Sequence, residues 1–143
     1  MLFLRKSRKG FTLIELMVVV AIIGVLALLG LRLYTGQQQK AKNAVVKANV
    51  GTIQTLIQAE LADTTSDEVN GMVGAAGEDS DLIEKSGINI PDGLKQTVNG
   101  AENGAIGEVY VIYNTTGDDE YFEINGNGFD DEDVFAKPLT ARK

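Results

Sequence analysis

A chain of 143 residues is one domain's worth, and 44% hydrophobic with 23% charged residues marks a folded protein. It has no cysteine, which excludes a disulfide staple and leaves the redox compartment open, and no histidine or nucleotide-binding glycine motif, which argues against an enzyme. The net charge of −7 is segregated: all 20 acidic residues follow Gly10, Arg5, Lys6, Arg8 and Lys9 precede it, and the acidic C-terminal part disfavours direct nucleic-acid binding.

The basic cluster runs directly into an apolar stretch of 21 residues, 11–31. As a helix this spans roughly 31 Å at ~1.5 Å per residue, about one hydrocarbon core. By the positive-inside tendency the leading end stays in the cytoplasm. A secretory signal peptide has a shorter apolar stretch, of about 7–15 residues, followed by a small-residue cleavage site. Here the stretch is longer, its small residue, Gly10, comes first, and it carries a carboxylate, Glu15. An acid inside such a segment costs a few kcal/mol and calls for a partner. Cleavage after Gly10 would create a positive α-amine on Phe11, four residues from that acid.

The run Gly10-Phe11-Thr12-Leu13-Ile14-Glu15-Leu16, followed by M-V-V-V-A-I-I-G-V-L-A, resembles the N-terminus of type IV prepilins and the related pseudopilins. The resemblance is strong from Lys9 to about Tyr34, continues in character to about Leu61, and is silent beyond. It implies a leader, residues 1–10, removed between Gly10 and Phe11 by a membrane prepilin peptidase that also methylates the Phe11 amine. It further implies that Phe11, Thr12 and Glu15 serve subunit assembly, with Glu15 pairing to the Phe11 amine of a neighbouring subunit. Many relatives carry proline where this sequence has Arg32, so a straighter helix is expected. Gly24, Gly30 and Gly36 recur every six residues, and either confine local melting to 24–30 or permit close helix packing.

Residues 37–61 contain no proline, and Val46, Val50, Ile53, Ile57 and Leu61 fall on one helical face. Lys42, Asn43, Lys47, Asn49, Gln54 and Gln58 occupy the polar side. A helix over 11–62 would be roughly 78 Å long and would need partners. Arg32, Lys40, Lys42 and Lys47 form a basic stem that either attracts neighbouring acidic heads or marks the water-exposed face beyond the membrane.

After residue 62 the composition reads as loop through 63–77, with a short turn at 69–73. Asp79 or Ser80 caps a short helix through Leu82, Ile83 and Lys85, closed by Gly87, and 88–91 lead toward a sheet. Residues 108–113 form the clearest strand, with Val109, Val111 and Tyr113 on one face. Residues 114–119 read as a turn, and 120–125 as a second strand. Weaker strands are expected at 94–98 and 134–139, with Pro138 at an edge. Asp130, Asp131 and Asp133, on a glycine-rich loop, are possible Ca²⁺ ligands, as in major pseudopilins, although adjacent acids also form plain solvated surface. Asn114-Thr115-Thr116 fits a glycosylation pattern.

The expected fold is α+β, a long N-terminal helix over about 11–62 packed on a small antiparallel β-sheet head. Its segments are a leader (1–10), a transmembrane or filament-core helix (11–36), an amphipathic helix half (37–62) and an acidic head (63–143). The expected protein is a structural subunit, a homopolymer of a type IV pilus that needs the peptidase and an inner-membrane assembly machinery. It would sit in the bacterial inner membrane as precursor and at the cell surface as filament. A type II secretion pseudopilin and a monomeric membrane-anchored binding protein are the alternatives.

Overall fold

The computed structural model describes residues 10–74, 80–88, 98–99, 105–116, 119–130 and 132–143. The basic leader, Asp79, Asp131, the lead-in at 89–91, most of the expected strand at 94–98 and the tip at 117–118 lie outside these residues. The chain divides into one unit ending at Gln37 and a second, Gln38–Lys143.

Helix α1 (Leu13–Asp63) opens at Thr12 and carries Glu15 in its first turn. In the first unit its residues are exposed on every side. Phe11 is 86% exposed and Leu28 73%, so this apolar surface is uncovered among the described residues. Among the described residues, α1 is one helix long and apolar enough to cross a membrane.

In the second unit α1 behaves as its periodicity requires. Val46, Val50, Ile53, Ile57 and Leu61 are its buried residues, and they form the spine of the core. The expected loop after α1 is instead a helix, α2 (Ser66–Val73). Its cause is a capping box: the Thr65 hydroxyl accepts from the Glu68 N–H, and the Glu68 carboxylate accepts from the Thr65 N–H at 3.1 Å. Val69 and Val73, four residues apart, then bury one face. Helix α3 (Asp81–Ser86) follows expectation, with Ser80 as N-cap and Gly87 at φ 63° donating to the Ile83 carbonyl.

The sheet has order β1-β2-β3-β4, where β1 is Val98–Asn99, β2 Val109–Thr116, β3 Asp119–Gly126 and β4 Leu139–Arg142. Strands β2, β3 and β4 are antiparallel neighbours, whereas the short β1 runs parallel to β2. Val109, Val111, Phe122, Ile124 and Ala141 face the helical spine in one core, and Tyr113 stacks on Phe122 at 4.8 Å. The last strand lies later than its expected 134–139. Pro138 has no N–H to give a ladder, and the preceding bends are fixed instead by Val134 N–H donating to the Gly126 carbonyl. Gly126 is required for close approach, since a Cβ there would sit 2.6 Å from Val46 Cγ1.

Candidate assembly site at the helix start

Gly10, Phe11 and Thr12 precede the helix, and Thr12 caps its start with the same chemistry that opens α2. Its N–H and its hydroxyl both donate to Glu15 Oε2 at 2.8 Å, and the Glu15 N–H donates back to Thr12 Oγ1 at 3.3 Å. Both donors converge on one carboxylate oxygen; Oε1 accepts no hydrogen bond among the described residues. The carboxylate lies beside Phe11, Ile14, Val18 and Val19 in an open apolar groove. The site therefore presents a single anionic acceptor, half satisfied by its own helix, on an apolar surface. Sequence reasoning sought a cation as the partner of Glu15, the Phe11 amine, and passed over Thr12. The Thr-x-x-Glu spacing at 12–15 was the signal for the internal one.

Gly24, Gly30 and Gly36 lie within unbroken α1, and a Cβ at any of them would meet nothing within 4 Å. Among the described residues no contact requires glycine there. Arg32 sits in continuous helix, its carbonyl accepting from the Thr35 hydroxyl at 3.0 Å.

Two residues of the basic stem, Lys42 and Lys47, meet the C-terminal segment within the second unit. Lys42 lies 4.8 Å from the Phe129 ring centre and Lys47 5.6 Å from that of Phe135. Asn43 accepts from the Phe129 N–H at 2.8 Å and donates to Asp130 Oδ1 at 3.1 Å. Asp133 Oδ2 accepts from the Tyr110 hydroxyl at 3.0 Å. The candidate Ca²⁺ ligands Asp130 and Asp133 thus face amide and phenol donors, and no group of three or more metal-binding side chains gathers among the described residues. Asp131, the third candidate ligand, lies outside the described residues. Asn114 is half-buried beside exposed Thr115 and Thr116 at the end of β2.

These features define a class: a subunit with an exposed apolar N-terminal helix, a capped carboxylate at its start, and a small α+β head. A family model described as "Prokaryotic N-terminal methylation motif" matches residues 5–31. A fimbrial protein of Moraxella nonliquefaciens is 34% identical over 118 residues, covering 78% of this chain and 70% of that protein. A type IV major fimbrial protein of Dichelobacter nodosus is 32% identical over 113 residues, covering 70% of each. Fimbrial protein Q of Moraxella bovis is 30% identical over 110 residues, covering 71% of this chain and 70% of that protein. No solved structure matches. The chain belongs to the type IV pilin family.

Proposed function

We propose that this chain is a prepilin, cleaved between Gly10 and Phe11 and methylated on the new amine, whose mature form polymerises through α1 into a type IV pilus. The observation that carries the reading is the first unit's exposed apolar surface, interrupted near its start by Glu15 alone. Such a surface is stable in hydrocarbon or against other copies, and a carboxylate there is tolerated only when paired. The unused Glu15 Oε1 gives the Phe11 amine of a neighbour an acceptor. The precursor then resides in the bacterial cytoplasmic membrane with its leader inside, the filament lies at the cell surface, and the chain is structural rather than enzymatic. Its partners are other copies, the prepilin peptidase and the inner-membrane assembly machinery.

The test is Glu15→Ala. The variant is expected to be processed at Gly10, as read by mass spectrometry, and to yield few or no fibres by electron microscopy. Normal fibres from Glu15→Ala would sink the reading, as would an uncleaved N-terminus in cells that have the peptidase. The cysteine-free sequence also suits a secretion pseudopilin. Secretion that depends on the protein without long surface fibres would favour that alternative.

A further inference from the structure

The outer edge of β4 carries backbone groups that β3 does not use, and α1 takes them. Gln54 Nε2 donates to the Thr140 carbonyl at 2.9 Å, and Gln58 Nε2 donates to the Arg142 carbonyl at 2.6 Å. The Arg142 N–H in turn donates to Gln58 Oε1 at 3.4 Å. A glutamine amide has the donor and acceptor of a peptide group. Gln58 therefore meets both backbone groups of Arg142 as a neighbouring strand would. The repeats match as well: residues four apart on a helix rise about 6 Å, and residues two apart on a strand advance about 6.6 Å.

We propose that Gln54 and Gln58 form a mock strand that closes the β4 edge and so keeps two copies of this chain from joining sheet to sheet. An uncovered edge is a template for a further strand. In a protein whose copies associate, edge pairing would compete with association through the apolar helix. The fastening extends along the helix. Asn43 and Lys47 lie on the same stripe of α1, at four-residue spacing, and hold Phe129, Asp130 and Phe135 of the segment that leads into β4. At the far end Lys143 Nζ donates to the Thr64 carbonyl at 2.8 Å. The inference does not rest on the filament reading, since it concerns which contact between copies is forbidden.

The absence of cysteine allows a clean test on the full chain in detergent micelles. Thr140→Cys, exposed on β4, reports edge-to-edge pairing as a cross-linked dimer under mild oxidation. In the native background little dimer is expected. In the Q54L/Q58L background the dimer is expected to rise at least tenfold, and amide exchange at Arg142 to quicken by a similar factor. Q54S/Q58S, polar but too short to reach the strand, serves if the leucine pair fails to fold, as judged by near-ultraviolet circular dichroism. Equal dimer yields in native and folded variant backgrounds would overturn the proposal.

Discussion

Asn125 is the buried polar residue on which the C-terminal part of the head turns, and its removal has a calculable cost. It is fully buried at the end of β3. Its amide donates to the Phe135 carbonyl at 2.8 Å and accepts from the Phe135 N–H at 3.2 Å and the Gly126 N–H at 2.9 Å. Asn125→Ala strips three hydrogen bonds and leaves backbone groups unpaired; with about 1 kcal/mol per bond the loss is about 3 kcal/mol, a large share of a marginal stability. Asn125→Asp keeps the shape but turns the donor toward Phe135 O into an acceptor. Desolvation raises the folded-state pKa of that aspartate above its unfolded value. Relative to the native chain, its stability is then greatest below the unfolded pKa and falls as pH rises through the folded one. Thermal melting of the full chain in detergent, followed by circular dichroism across pH, reads both effects. A change below about 0.5 kcal/mol for Asn125→Ala, within the usual range of neutral surface changes, would refute the assignment. So would an Asn125→Asp melting difference that is flat with pH.

Two further substitutions probe the same head. The Tyr113 hydroxyl is shielded and has no partner in good hydrogen-bond geometry among the described residues, although Glu120 and Ser66 lie near it, and its pKa is raised by burial and by the carboxylates of Glu120 and Asp67. Native stability is therefore full below the ordinary tyrosine pKa and declines as pH rises through the raised one. Tyr113→Phe should melt no lower at neutral pH and lose less in alkali, so a lower midpoint at neutral pH counts against the orphaned hydroxyl. Gly126→Ala places a Cβ 2.6 Å from Val46 Cγ1 and 3.1 Å from Val50 Cγ2, an overpacking cost of about 1–3 kcal/mol. Urea denaturation should show Gly126→Ala and Val46→Ala to be less than additive when combined.

The helical spine was legible because one physical requirement, burial of one face, wrote its period into residues 46–61. The β2–β3 hairpin was legible for the same reason, its alternation surviving in Phe122 and Ile124 against Tyr121 and Glu123. Helix α2 was misread as loop because its polar composition outweighed a two-residue capping signature that acts only through hydrogen bonds. Strand β4 was misplaced because its pairing is decided by Pro138 and by Asn125, a residue distant in sequence. The polar stripe of α1 was visible, but its purpose was not. Asn43, Gln54 and Gln58 bond to residues 84–87 positions away, and no local pattern encodes those partners.

The two capping boxes show where local chemistry stops determining function. Thr12–Glu15 and Thr65–Glu68 make the same three contacts, with Glu N–H to Thr hydroxyl at 3.3 Å in both and both donors converging on Oε2. Glu68 is exposed to water among polar residues, so solvent serves the remaining oxygen, while the Thr65 N–H and hydroxyl hold its pKa below the ordinary value. Glu15 is flanked by Phe11, Ile14, Val18 and Val19, and where that apolar surface is buried its remaining oxygen calls for a cation. Glutamine preserves a capping box while removing the charge. Glu68→Gln should therefore leave melting and fibre yield unchanged. Glu15→Gln should keep the helix start, read as protection of the Leu16 amide, and still depress fibre yield at least tenfold. If Glu15→Gln assembles as well as the native chain, the residue acts as a helix cap and its charge carries no assembly role.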